Sequence, residues 1–175
     1  MSHIKLKDLL LEVGKPKFSK HQRIHVNDEP RFWVDMWKYY YKKAKNQRLG
    51  TKPNGLWYAF GNEWLDFIEA NDMQWKSKSN AVYYEVEPPT GHVLTIKSEK
   101  QMDIFVGAYG ERTTLGAILI DWPKVKKDWK AGVEINIRDS VDVNDPKFGW
   151  YYGWDVACGC AWGNWMDWTV SPPIQ

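Results

Sequence analysis

The chain alternates between two hydrophobic periods, and the switches between them predict its elements. Residues 6–13, LKDLLLEV, have the look of a short helix, and the basic loop GKPKFSK follows. Ile24 and Val26 then alternate with Arg23 and His25, which predicts a strand over 22–28. Next, Trp33, Trp37, Tyr40 and Ala44 recur at i, i+4, i+7 and i+11. That apolar stripe predicts a helix over 30–47, with Asp28 as cap, Pro30 in its first turn, and Lys38, Lys42, Lys43 and Lys45 on its other faces. Gly50, Pro53 and Gly55 lead into a short strand at 55–60, and Asn62 can cap a helix in EWLDFIEAN.

Period two returns in NAVYYEVEPP, a strand over 80–89 with Val82, Tyr84 and Val86 on one face, and again in HVLTI at 92–96. Ser98 and Gln101 have capping-box spacing ahead of a helix whose apolar face is Met102, Phe105 and Tyr109. GAILID, 116–121, is apolar. Asp121 then caps WPKVKKDWK, and Gly132 is expected to end that helix before a strand at 133–138. A turn-rich stretch leads to an aromatic C-terminal hairpin, WYYGWDVACGCAW. Its alternation sets Tyr151, Gly153, Asp155 and Ala157 on one face and Tyr152, Trp154 and Val156 on the other.

Short strands with helices inserted between them, without a regular βαβ rhythm, predict an α+β fold built on a largely antiparallel sheet. The 175 residues fit one domain, with an N-terminal helical part over about 1–48 and an α+β core over about 49–170. No run approaches the ~18–20 apolar residues that a membrane span needs, and the N-terminus lacks an apolar run of signal-peptide length. With a mean hydropathy of −0.58, a cytoplasmic protein without membrane partners is expected.

Charge sharpens this picture. The net charge is only +2, yet residues 1–60 hold 13 Lys and Arg against 5 Asp and Glu, whereas 61–175 hold 11 against 17. That asymmetry fits either an anionic partner near the N-terminal third or a solvated helix face. The two cysteines, Cys158 and Cys160, are too close for an unstrained disulfide, and no histidine lies at metal-ligand spacing from them, so they read as small buried thiols and no metal is expected. Twelve tryptophans stand out, five of them within 149–168. Indoles stack on flat ligands, but most of so many must form core.

No phosphate loop, dinucleotide fingerprint, nucleophile elbow or metalloprotease motif is present. Any chemistry must come from residues that the fold assembles. Glu134, in a strand between Val133 and Ile135, could accept a ribose hydroxyl and stabilise a cationic sugar, or be a carboxylate on a wet edge. Arg23 and His25 share a strand face and could hold a ribose or a phosphate. In KPNGLWYAFGNEW, a glycine-led strand would let a flat ligand approach the backbone while Trp57 or Tyr58 stacks on it. Asp155 reads as a hydrogen-bond anchor for an indole N–H or a turn.

Two resemblances follow from these residues. KPNGLWYA, IDWPKVKKDW, GVEI and WYYGWDVACGCAW resemble a family of uncharacterised phage and bacterial proteins patterned K-P-x-G-L-W-x-S, I-D-W, G-I-E-I and W-D-x-x-S-G-C-I-W, over about residues 50–163. Cys158 stands at that pattern's serine. More loosely, the order of QRIHV, GLWYAFGNEW and GVEINI is similar to the ADP-ribosyltransferase superfamily: a basic strand, an aromatic strand running into a helix, then a late glutamate strand. That likeness implies an ADP-ribosyltransferase-like fold and NAD as substrate. His25 or Arg23 would hold its ribose or phosphate, Tyr58 and Trp64 would stack on nicotinamide, Trp57 would be a further cofactor-binding residue, and Glu134 would be the catalytic carboxylate, polarising the ribose hydroxyl. The acceptor would be a protein or a nucleic acid. Ala59 stands where several branches carry Ser or Thr, and Gly132 stands where arginine-modifying branches carry a second acid. Two non-catalytic readings compete: a single-stranded nucleic-acid module using the basic helix and tryptophans, and a phage protein that binds and inhibits a host protein.

Overall fold

The computed structural model describes residues 16–27, 33–71, 81–137, 141–142 and 144–174, apart from the side chains of 33–37 and 165. The helix expected at 6–13, and the cap expected from Asp28 and Pro30, lie outside the described residues.

Seven strands form one sheet: β1 (Arg23–Asn27), β2 (Leu56–Phe60), β3 (Val82–Glu87), β4 (Val93–Ile96), β7 (Gly132–Ile135), β8 (Cys158–Ala161) and β9 (Thr169–Val170). Their order is β4-β7-β8-β2-β1-β3-β9. All neighbours are antiparallel except β4 and β7. A parallel pair needs a long crossover. Here it is α3 (Glu99–Tyr109), the hairpin β5 (Gly110–Arg112) and β6 (Ile118–Ile120), and α4 (Trp122–Asp128). Two further helices, α1 (Trp33–Lys45) and α2 (Glu63–Ala70), flank β2 in sequence. The fold is thus α+β with a mostly antiparallel sheet, and β1 lies inside that sheet, so residues ahead of 49 share it with those that follow.

Period two sorts the strands onto two faces. Trp57, Ala59, Val133, Ile135, Cys158 and Cys160 join a core with Met102, Phe105, Trp122, Trp150 and Trp154. Leu56, Tyr58, Val86 and Ala161 join a smaller one with Trp168. In the first, Trp122 lies 6.0 Å from Trp150 and 6.1 Å from Trp154, ring centre to ring centre. A buried indole N–H gains from an acceptor. Trp122 Nε1 donates to Gly50 O at 3.1 Å, Trp154 Nε1 to Thr51 O at 3.3 Å and Trp162 Nε1 to Trp129 O at 2.8 Å, which ties the 50–51 loop onto the aromatic layer.

Local signals held where their partners are local. Ser98 Oγ accepts from Gln101 N at 3.3 Å, and Asp121 Oδ1 accepts from Lys124 N at 3.1 Å. Others yielded to tertiary demands. Asn62 precedes α2 but makes no side-chain cap, because Phe18 N donates to its Oδ1 and its Nδ2 donates to Pro16 O. Gly132 does not end α4, which stops at Asp128; it opens β7 instead. The C-terminal hairpin does not form. Pro146–Tyr151 is a 3-10 helix started by Asp145, residues 152–157 turn, and β8 inserts between β2 and β7. Two waiting strands compete better for β8's hydrogen bonds than a neighbouring segment does. Both cysteines are buried packing residues.

Candidate active site

The second face of the sheet carries one row of Cα partners, Thr95–Glu134–Gly159–Tyr58, across four adjacent strands. Tyr58 and Glu134 are therefore two strands apart, about 9.6 Å along the sheet. They nevertheless touch: Tyr58 Oη donates to Glu134 Oε1 at 3.0 Å. Gly159 makes this possible. A Cβ there would lie 2.4 Å from Tyr58 Cζ and 2.5 Å from its Oη, so the phenol lies across the bare glycine. Thr95 Oγ1 donates to the other oxygen of Glu134 at 3.4 Å.

Arg23 completes the cluster from β1. Its Nε donates to Glu134 Oε1 at 2.5 Å, its Nη2 approaches Oε2 at 3.5 Å, and its Nη1 donates to Glu87 at 3.0 Å. Glu134 is 3 % exposed. A carboxylate that deep requires a charge partner and hydrogen bonds, and it has both. Burial works against the Arg23 charge, but the hydrogen bond and charge of Glu134 outweigh it and hold the guanidinium above its usual value. Burial, reinforced by the Glu134 charge, keeps the Tyr58 phenol well above its ordinary range, so it stays a donor.

A cavity of about 380 Å³ opens where β1 and β2 part. That size suits a small-molecule site. The two strands pair only at Arg23↔Phe60 and Ile24↔Ala59. Beyond that, His25 Nδ1 sits 2.7 Å from Trp57 O. His25 is 5 % exposed, and burial lowers its pKa to about 4. The ring is therefore neutral at pH 7. A carbonyl only accepts, so Nδ1 carries the proton and Nε2 is a bare acceptor. That Nε2 is buried and has no hydrogen-bond partner among the described residues. Trp57, Trp64 and Trp154 supply aromatic lining, and Lys52 sits at the wall, 5.5 Å from the Trp57 ring centre and 3.9 Å from Asp155.

The structure thus divides the residues that sequence singled out. Arg23, Tyr58 and Glu134 meet in one network, whereas His25, Trp57, Tyr58 and Trp64 line the cavity, with Tyr58 common to both. Tyr58 is 3 % exposed and its ring edge-packs with Trp168 at 6.0 Å, so it offers hydrogen bonding and no open stacking face. Trp57 and Trp64 are half-buried, and Trp64 stacks on Phe67 at 5.6 Å. Among the described residues Asp155 anchors no indole; it pairs with Lys52. Gly55 admits no ligand either, because Ala161 O and Cys160 Sγ fill the space beside it.

Sequence reading missed Thr95, Glu87, Lys52 and Gly159. The polar position inside Val-Leu-Thr-Ile and the glycine inside Cys-Gly-Cys were the available signals, but neither names its neighbour. Among the described residues no group of three or more His, Cys, Asp or Glu is placed to hold a metal ion, and no helix is long and apolar enough to cross a membrane. No protein-family model, curated protein or solved structure matches the chain.

Proposed function

We propose that the chain is an NAD-dependent ADP-ribosyltransferase with an ADP-ribosyltransferase-like arrangement of its core strands. One observation carries the reading: Arg23, Tyr58 and Glu134, from an early basic strand, an aromatic strand and a late glutamate strand, converge on one carboxylate across separations of 111 and 76 residues. A separate cavity that shares only Tyr58 with this network adds half-buried tryptophans for a flat ring and an acceptor, His25 Nε2, for a ribose hydroxyl.

NAD would supply the ADP-ribose, with nicotinamide leaving as a protein or nucleic-acid acceptor takes its place. Glu134 accepts a ribose hydroxyl and offers negative charge to the cationic sugar. Tyr58 and Thr95 hold the carboxylate at a set angle. Arg23 neutralises Glu134 in the absence of substrate and must move to a substrate phosphate before Glu134 can act. That exchange is open to it because its side chain keeps 23 % exposure, against 4 % for Glu134.

The test uses NAD labelled on the adenylate, with free nicotinamide followed alongside, in the presence of lysate protein, DNA and RNA. Label on one acceptor class together with nicotinamide release is expected, and Glu134→Gln should lower both roughly 100- to 1,000-fold. Intact NAD with every acceptor class overturns the reading.

A further inference from the structure

A second cavity, about 400 Å³, lies between the end of α1, α4 and the 162–164 turn, away from Glu134. Its lining includes Lys45, Lys126 and Lys130 and two rings, Tyr41 and Trp162, and no acidic residue among the described residues. Each ring lies near a cation: Lys45 Nζ is 4.7 Å from the Tyr41 centre and Lys126 Nζ is 5.2 Å from that of Trp162.

Lys126 is the fixed charge of this cleft. Its Nζ donates to Ala44 O at 3.0 Å and Asn54 O at 2.8 Å, which leaves one N–H. Burial lowers its pKa to about 8, with the Cys160 thiol acting weakly the other way. The charged groups lining the cleft with it are Lys45 of α1 and Lys130 after α4. Among the described lining residues an arriving anion therefore meets cations and no acid.

The outer face of α1 continues the pattern. Lys38, Tyr39, Tyr41, Lys42, Lys43 and Lys45 are all exposed, Tyr39 by 59 % and Tyr41 by 42 %. Lys42 and Lys45, three residues apart, repel each other on the helix, and a polyanion relieves that repulsion. Open rings set among lysines match the two requirements of an unpaired strand: stacking faces for bases and cations for phosphates. A duplex hides its base faces. A lipid surface calls for exposed aliphatic side chains, and here the rings are tyrosines with polar tips.

We propose that this cleft and the outer face of α1 bind single-stranded nucleic acid, with phosphates on Lys45, Lys126 and Lys130 and a base on Tyr41. The inference does not rest on the transferase reading, because none of these residues touches Glu134.

The test is anisotropy titration of labelled oligo-dT and oligo-U of about ten nucleotides, a length within the usual site size, at about 50 and 200 mM salt. Both or either should bind at the lower salt. Three phosphate contacts predict a log–log salt slope near −2, at about 0.7 per contact, falling to about −0.7 in the Lys45→Gln/Lys130→Gln variant. Tyr41→Ala should weaken binding roughly 5- to 150-fold. These positions are exposed, so the variants keep their fold, and Glu134→Gln should bind like the parent chain. A preference for DNA over RNA, or the reverse, identifies the source of the strand and supports the site. Absence of binding at the lower salt, indifference to both variants, equal affinity for a duplex, tighter binding to anionic lipid vesicles, or full competition by inorganic phosphate at millimolar level would each overturn it.

Discussion

The two sides of β7 belong to different chemistries. Val133 and Ile135 face a dry aromatic core closed by Trp122, Trp150 and Trp154, where loop carbonyls accept from the indole N–H groups of Trp122 and Trp154. Glu134, between them, faces a carboxylate network closed by Arg23, Tyr58 and Thr95. The first side is specified by volume and tolerates no void. The second is specified by charge and tolerates no missing partner. One strand carries both because its side chains alternate.

The comparison can be broken most severely on the aromatic side. Trp122→Ala removes a wholly buried indole that touches Phe105, Trp150, Trp154 and Trp162, and should cost roughly 3–5 kcal/mol in denaturant unfolding. A loss under about 1 kcal/mol would mean that this face is not the closely packed one.

On the polar side, Arg23→Gln should cost roughly 2–4 kcal/mol, because it strands a buried carboxylate; the partial exposure of Arg23 keeps this below a fully buried pair. The double variant Arg23→Leu/Glu134→Leu should recover most of that loss, since it removes both charges and fills similar volume. Equal losses in the single and double variants would show that shape, not charge, holds this face as well.

His25, at the cavity apart from both sides, gives stability a pH dependence. The unfolded imidazole takes a proton near pH 6.5, whereas the buried one resists until about pH 4. Between those values the unfolded chain binds more protons, so stability is full above about pH 6.5 and falls as the pH drops toward 4, by up to about 3 kcal/mol. Unfolding at pH 7 and pH 5 should show a slope that His25→Gln flattens. A variant with the parent's slope would remove His25 from this role.

The smallest effects sharpen the geometry of the row. Gly159→Ala should push Tyr58 off Glu134 and cost roughly 1–3 kcal/mol, more than the roughly 1 kcal/mol of Tyr58→Phe, which deletes a single hydrogen bond. The alanine would also expose the Tyr58 phenol to titration in ultraviolet difference spectra at lower pH than in the parent. If the two variants cost the same and the phenol titrates unchanged, the ring does not depend on the bare glycine.

The amino-acid sequence by itself determined what depends on neighbours a few residues apart. The presence of β1 to β4, the alternation of β3, the helical stripe through Tyr40 and Ala44, the caps at Ser98 and Asp121 and the burial of both cysteines were all legible from it, because periodicity and local hydrogen bonds act within one turn or one strand. It also singled out Arg23, His25, Trp57, Tyr58, Trp64 and Glu134. What it could not contain was their grouping. Only the tertiary structure decided that β8 leaves its expected hairpin to lie between β2 and β7, and that placement alone puts Gly159 between Tyr58 and Glu134. The same order brings Arg23 onto a carboxylate 111 residues away and leaves His25 and the tryptophans around a separate cavity. The physical reason is competition for backbone hydrogen bonds. A strand pairs where the most donors and acceptors await it, and no local pattern records which distant segments those will be.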